Sequence, residues 1–124
     1  TSNICSNQAL NALAASVAMT DLGKKGVRDM ATQNIQKAHY AKKALQAKGI
    51  EIVFDGPSFN EFVIKLPASY ETCNAKLLER GIIGGYHLGL TYPELENHML
   101  VAVTELRTKE EIDAFAQELG DRHE

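Results

Sequence analysis

The chain has 124 residues, of which 44% are hydrophobic and 23% charged, an ordinary composition for one globular domain. Its net charge of −3 lacks the basic excess that nucleic-acid binding needs, and no apolar run reaches the length of a membrane span. The two cysteines, Cys5 and Cys73, form no CxxC pair or disulfide framework, so we expect a cytoplasmic protein without nucleic-acid or membrane partners.

The first predicted element is a helix over Gln8–Leu22, ended by Gly23. Leu10, Leu13 and Val17 form its apolar face, and alanines fill much of the remaining circumference. A helix that is apolar on most sides is buried on more than one of them. Since the chain also begins with Thr1 and carries no signal sequence, we expect a fragment whose first helix contacts a missing neighbour.

A second helix is predicted over Gly26–Lys48, followed by strands at Ile50–Phe54 and Glu61–Leu66. The turn residues Asp55, Gly56 and Pro57 separate the two strands. The predicted buried stripe of the helix consists of Val27, Met30, Ala31, Ile35, Ala38 and Leu45.

The second half of the chain predicts a helix from the N-cap Ser69 to Arg80 and a helix that begins with the capping box Thr108–Glu111. Between them we expect a short strand or irregular ribbon over Ile82–Leu90, a loop over Tyr92–Asn97 and a central strand over Met99–Val103. The predicted core residues of the two helices are Tyr70, Cys73, Leu77 and Leu78, then Ile112, Phe115, Ala116 and Leu119. This order predicts an α+β fold, with a mostly antiparallel sheet of three or four strands covered by helices on one side.

No catalytic or metal-binding set is evident in the sequence. His87, His98 and Cys73 are zinc-ligand types, but they lack the spacing of a zinc motif. The glycines of Gly81–Tyr86 follow a helix and precede extended chain, which favours a helix end and close backbone approach over a phosphate-binding loop. Glu94 and Glu96 are expected to be solvated loop residues.

Two polar segments are candidates for contact with a ligand or a neighbouring chain. The opening segment has more small polar residues than one helix cap requires, and a second set lies between two aromatics at a strand entrance. The candidate interface or cleft residues are Thr1, Ser2, Asn3, Cys5 and Asn7 in the first segment, and Asn60 and Glu61 in the second.

These segments resemble a known family, glycine decarboxylase, the P-protein of the glycine cleavage system. The resemblance rests on residues 1–10, Phe59–Phe62, Arg80–Gly81, Val103–Glu105 and Lys109–Asp113, and runs over essentially the whole chain. More narrowly, the chain is similar to the C-terminal end of subunit 1, or alpha, of the two-subunit form.

The resemblance implies the small C-terminal domain of an aspartate-aminotransferase-type, fold type I pyridoxal-phosphate enzyme. Residues 1–23 would be the linking helix from an absent large domain, and residues 24–124 the small domain. The parent enzyme decarboxylates glycine and passes the aminomethyl group to the lipoyl H-protein. The resemblance also implies that subunit 2, or beta, holds the cofactor, and that the subunits form a homo- or hetero-oligomer. We therefore expect no catalytic or cofactor residue in this fragment, which would be inactive alone.

The sequence leaves two alternatives open. The chain could be the small domain of another fold type I enzyme, an aminotransferase or cysteine desulfurase, in which an arginine often binds the substrate carboxylate. Arg80 and Arg107 are the candidates for that role. It could also be a freestanding ferredoxin-like module that binds a partner or senses a ligand.

Overall fold

The computed structural model describes residues 7–120, apart from the side chain of Asn7. They form helix α1 (Asn7–Ala47), strands β1 (Glu51–Ile52) and β2 (Glu61–Lys65), helix α2 (Tyr70–Glu79), strands β3 (Tyr86–His87) and β4 (His98–Ala102), and helix α3 (Lys109–Gly120). Two short 3₁₀ turns, Leu88–Leu90 and Pro93–Leu95, separate β3 from β4. The predicted loop over Tyr92–Asn97 thus contains one turn of helix, which begins at a proline.

Helix α1 consists of two helical stretches that meet at Gly23, as the sequence predicts. The backbone of Gly23 has φ 64° and ψ 177°, a conformation open to glycine and not to residues with a Cβ atom. The chain divides into two compact units, residues 1–32 and 33–124. The predicted domain boundary after Gly23 stays a prediction.

In the described part of the first unit, the apolar side chains of the first stretch face solvent. Leu10 is 69% exposed, Leu13 and Val17 are each 61% exposed, and Leu22 is 42% exposed. No described helix of the chain, over residues 7–120, is long and apolar enough to cross a membrane.

The second unit contains a four-stranded antiparallel sheet in the order β1-β2-β4-β3. Alternate residues of the central strands, Phe62 and Ile64 on β2 and Met99 and Val101 on β4, are buried. They form one core with side chains of all three helices. The helices therefore cover one face of the sheet, as predicted for an α+β fold.

The end signals of α2 and α3 are confirmed. The Ser69 hydroxyl accepts a hydrogen bond from the Thr72 amide, and Gly81 follows the helix with φ 71°. Thr108 and Glu111 exchange two hydrogen bonds, of 2.8 and 3.2 Å, which form the predicted capping box. The four predicted core residues of α3 are all buried.

Two predicted core positions are wrong. Ile35 is 50% exposed, because the buried positions of α1 in the second unit are Asn34, Ala38, Ala41 and Leu45. Leu78 is 53% exposed, since the adjacent Leu77 occupies the core and neighbouring residues of a helix point about 100° apart. Strand β1 is also shorter than predicted, with two residues in place of five.

Candidate functional site

A groove with a volume of about 820 Å³ lies between α3, the end of β4 and residues 80–84. Its floor includes the buried side chains of Val101, Val103 and Phe115. Ile83, which also lines the groove, is 88% exposed, the largest fraction of any large hydrophobic residue described. An apolar floor beside an exposed isoleucine is typical of a surface that another molecule covers.

The two arginines of the groove are each held by a glutamate. The Arg80 Nε atom lies 3.2 Å from a carboxylate oxygen of Glu118, and an Arg107 nitrogen lies 3.6 Å from one of Glu111. The Arg80 side chain is 71% exposed and the Arg107 side chain is 50% exposed. Because each guanidinium already faces a carboxylate, the arrangement does not favour either as the receptor for a substrate carboxylate.

The glycines that follow α2 allow close backbone packing beside the groove, which residues 81–84 line. A Cβ atom on Gly84 would lie 2.6 Å from the Leu77 side chain, and one on Gly85 would lie 2.2 Å from the Leu100 carbonyl oxygen. The glycine at 81 ends α2, since its amide donates to the Leu78 carbonyl at 2.9 Å. The interpretation of these glycines as a helix end and points of close approach is confirmed.

His87 on β3 makes contacts that hold the fold together. The rings of Tyr70 and His87 stack with centroids 4.2 Å apart and planes 3° from parallel. The Tyr70 hydroxyl donates to the Gly85 carbonyl at 3.0 Å, and His87 Nε2 lies 2.7 Å from the Glu96 carbonyl oxygen. These contacts attach α2 and the 3₁₀ turns to the short strand β3.

Within residues 7–120, no group of three or more histidine, cysteine or acidic side chains is arranged to hold a metal ion. The zinc arrangement of Cys73, His87 and His98 is therefore not formed. The Nδ1 atom of His98 is buried and has no hydrogen-bond partner among the described residues.

Cys73 is a free thiol in the core, only 1% exposed. Burial raises the pKa of this thiol above its ordinary value, and the backbone at Ala68 and the charge of Lys76 offset this only in part. Since the thiolate is the reactive form, Cys73 is not suited to act as a nucleophile.

The predicted interface residues are placed only in part. Thr1, Ser2, Asn3 and Cys5 lie outside the described residues, and of Asn7 only the backbone, at the start of α1, is described. Their role at an interface or cleft stays a prediction.

Asn60 and Glu61 lie beside the strand end that lines the groove. The Asn60 carbonyl accepts a hydrogen bond of 2.9 Å from the Val103 amide, and Glu61 is exposed opposite Ala102. Both residues belong to β2 or its entrance, whereas Ile83 and Gly84 lie on the β3 side of β4. The structure therefore brings the pair near the groove without placing it among the lining residues.

A sequence profile of the family described as glycine cleavage system P-protein matches residues 1–119. The chain belongs to this family. The match covers both units of the fold, including the first helical stretch with its exposed leucines.

Among P-protein relatives, the chain is 70% identical over 124 residues to the "Probable glycine dehydrogenase (decarboxylating) subunit 1" of Bacillus subtilis (strain 168). It is 69% identical over 123 residues to the protein of the same name from Geobacillus thermodenitrificans (strain NG80-2). These alignments cover 100% and 99% of this chain but 28% of each relative. The chain thus spans little more than a quarter of the length of these relatives.

Solved structures agree with the P-protein assignment. A crystal structure of glycine decarboxylase (P-protein) of the glycine cleavage system, in inhibitor-bound form, matches with a TM-score of 0.81 and 33% identity, covering 97% of this chain and 27% of that one. A NifS-like protein matches with a TM-score of 0.60 at 16% identity, covering 78% of this chain and 29% of that one, which shows a shared fold alone. The predicted fold class, an α+β domain of the fold type I enzymes, is confirmed.

The P-protein family depends on pyridoxal phosphate, and the groove lacks a residue that this cofactor needs. Its aldehyde requires a lysine that faces a pocket with groups for the phosphate. The groove is lined by no lysine. The Lys42 ammonium donates to Ser58, and that of Lys109 to Asp113, both at exposed positions. The lining of the groove therefore does not fit the cofactor.

Proposed function

We propose that this chain is the small C-terminal domain of subunit 1 of glycine dehydrogenase (decarboxylating), a component of the glycine cleavage system. The observation that carries the proposal is the 70% identity, over all 124 residues of this chain, to part of the Bacillus subtilis protein named as probable subunit 1 of that enzyme. The family match favours this function over the small domain of an aminotransferase or cysteine desulfurase and over a freestanding module.

The parent enzyme is proposed to decarboxylate glycine in the cytoplasm and to transfer the aminomethyl group to the lipoyl H-protein. When bound, pyridoxal phosphate supplies the electron sink for loss of the carboxyl group. Because the groove of this domain does not fit that cofactor, we propose that subunit 2 binds it. In this proposal the domain has a structural role, because it completes the assembly around an active site formed by residues outside it.

The exposed first stretch of α1 supports a role in assembly. Leu10, Leu13 and Val17 lie at i, i+3 and i+7, so they share one face of the helix, and each is more than 60% exposed. Exposed apolar residues that line one helical face are typical of an interaction surface. We propose that the rest of subunit 1 or subunit 2 covers this face, and that Thr1, Ser2, Asn3, Cys5 and Asn7 lie near the cleft so formed.

The test uses the full-length subunit 1 that contains this sequence, together with subunit 2 and lipoylated H-protein. The measurement is exchange of labelled bicarbonate into the carboxyl group of glycine, which reports decarboxylation and its reversal. We expect exchange with both subunits and none with subunit 1 alone. Exchange by subunit 2 and H-protein that is equally fast without subunit 1 would overturn the proposal.

A second experiment tests the contribution of this domain by deleting it from subunit 1. Subunit 1 that lacks residues 1–124 of the present sequence should not support exchange, whereas the intact subunit should. The matched control is subunit 1 with the conservative substitution Lys24→Arg at an exposed position of α1, which should retain full exchange.

A further inference from the structure

The end of strand β4 has an unpaired backbone edge. In the antiparallel pair of β2 and β4, the Val103 amide donates to Asn60, and Glu61 faces Ala102 across the ladder. Residues on a strand alternate in the direction of their backbone groups. The N–H and C=O groups of Ala102 therefore point away from β2, toward the side of the sheet where β3 lies.

Strand β3 does not extend far enough to pair with Ala102. Its ladder with β4 contains the pairs Tyr86–Leu100 and His87–Met99, and its continuation would place Gly84 opposite Ala102. The ladder ends before Gly84, which packs inward against Leu77 and Met99. Among residues 7–120, no backbone hydrogen bond outside the regular elements uses either group of Ala102, and the residue is exposed.

This unpaired edge is part of the groove described above. Ala102 lines it together with Val101 and Val103 from the same strand, and Ile83 lies exposed among the lining residues on the other side. A strand edge beside an apolar groove is the arrangement by which proteins bind an extended peptide, since the edge pairs with the peptide backbone and the groove receives its side chains. Because Arg80 and Arg107 are already paired with glutamates, the groove favours an apolar peptide over a small anion.

We infer that an extended segment of the same polypeptide, from outside these 124 residues, pairs with Ala102 and packs its side chains against Ile83. This inference rests on the proposed function, in which the chain is part of a longer subunit 1. The chain spans 28% of the length of its Bacillus subtilis relative, so most of a subunit of that length lies outside this sequence. A segment of the same chain has a higher effective concentration at the groove than a separate partner, which favours it as the occupant.

The first test is amide hydrogen exchange at single-residue resolution in the assembled full-length subunits 1 and 2. The Ala102 amide should exchange at least about 100-fold more slowly than an unprotected amide, because the added strand accepts its hydrogen bond. Leu100, which faces the same side of β4 and pairs with Tyr86, is the protected reference. Exchange of Ala102 at the unprotected rate, with Leu100 protected, would overturn the inference.

The second test identifies the occupant by placing a photo-crosslinking amino acid at Ile83 in the same assembly. Crosslinks to subunit 1 peptides outside the present sequence would support the inference. Crosslinks to subunit 2 alone, or a yield no higher than from the same label at Leu90, would overturn it. Leu90 is a suitable control because it is 74% exposed and does not line the groove.

Bicarbonate exchange on the same samples separates the two proposals. An active assembly whose Ala102 amide is unprotected contradicts the occupied groove and leaves the proposed function intact. An assembly that is fully folded and inactive contradicts the proposed function, whatever the protection of Ala102.

Discussion

The side chain of Asn34 donates a hydrogen bond of 2.9 Å to a carboxylate oxygen of Glu105, which joins α1 to the loop between β4 and α3. Asn34 is 6% exposed and is the buried polar residue of the described core. Lys37, one turn further along α1, donates to the backbone carbonyl of Glu105. A loop that precedes a helix is thereby fixed to a distant part of the chain.

The Asn34–Glu105 pair should contribute measurably to stability. Asn34→Ala is expected to lower the free energy of unfolding by about 1–3 kcal/mol, because it removes a buried hydrogen bond to a charged acceptor. In a double-mutant cycle with Glu105→Ala, the coupling should exceed about 0.5 kcal/mol. Urea denaturation measures all four free energies. Strictly additive effects would show that the bond does not stabilise the fold.

Gly85→Ala should destabilise the domain strongly. Its Cβ atom would lie 2.2 Å from the Leu100 carbonyl oxygen and 2.8 Å from the Met99 side chain, so a strand would have to move. Overpacking of this kind costs about 1–3 kcal/mol or more. The midpoint of thermal unfolding is the measurement.

Gly56→Ala is the matched control for that substitution. A Cβ atom at Gly56 would meet nothing within 4 Å, and its φ angle is not positive. Since alanine restricts the unfolded chain more than glycine does, we expect a gain of about 0.4–1 kcal/mol at this site. Equal losses at both positions would contradict the close approach at Gly85.

Thr108→Ala should weaken the start of α3. It removes the hydroxyl that accepts the Glu111 amide at 3.2 Å, at an expected cost of about 0.5–2 kcal/mol. Thr108→Ser retains the hydroxyl and should remain near the wild-type stability in the same denaturation experiment. If the serine variant is as unstable as the alanine variant, the cap does not account for the loss.

The ion pair of Asp113 predicts a pH dependence of stability. Hydrogen bonds from Lys109, at 2.5 Å, and from Tyr40, at 2.6 Å, lower the pKa of Asp113 below its ordinary value. The charged carboxylate therefore stabilises the fold. Its contribution is complete above the unfolded pKa, about 3.9, and is lost as the pH falls through the lower folded pKa.

Asp113→Asn should thus reduce stability at pH 6, and the difference from wild type should shrink toward pH 2. Urea denaturation at several pH values measures the trend. Asp55→Asn is the control, since Asp55 is exposed and has no ion pair among the described residues. A difference for Asp113→Asn that does not change with pH would contradict the role of its charge.

The exposed face of the first helical stretch should be needed for assembly. In full-length subunit 1, the double substitution Leu13→Glu and Val17→Glu places two charges on that face. It should lower either the association constant with subunit 2 or the solubility of subunit 1 by at least about 10-fold. Asn11→Glu, on another side of the helix, is the control. Analytical ultracentrifugation of the mixed subunits gives the association constants. Unchanged association and solubility in the double variant would contradict an interface at this face.

The sequence predicts the ends of α2 and α3 well because their signals are local. Ser69, Gly81 and the Thr108–Glu111 pair act within one turn of their own helix, so neighbouring residues suffice to place them. The antiparallel strands β2 and β4 are likewise evident from their apolar patterns.

The buried side of α1 could not be predicted in the same way. Hydrophobic periodicity predicts that Ile35 is buried, whereas the buried residues in this part of α1 include Asn34 and Ala41. Burial of the Asn34 amide is tolerated in part because Glu105, 71 residues away, accepts a hydrogen bond from it. Ala41 allows close packing and gives little apolar signal in the sequence. Such choices depend on tertiary contacts.

The groove was also beyond prediction from sequence. It depends on how residues 80–84 lie beside α3, whereas in the sequence Arg80 and Arg107 are candidates only for binding a substrate carboxylate. Ile83, an apolar residue amid glycines, was the one local signal, and it is also compatible with an ordinary strand.

The glycines at the ends of α1 and α2 bear on the order in which the domain forms. Gly49 and Gly81 have φ angles of 82° and 71°, and in each case the next residue donates back to a carbonyl five positions earlier, Ile50 to Leu45 and Ile82 to Leu77. These stop signals need only a few neighbouring residues, so each helix can acquire its final length early. The ladder of β2 with β4 joins segments more than thirty residues apart, so its formation carries a larger loop-closure entropy cost than either helix end.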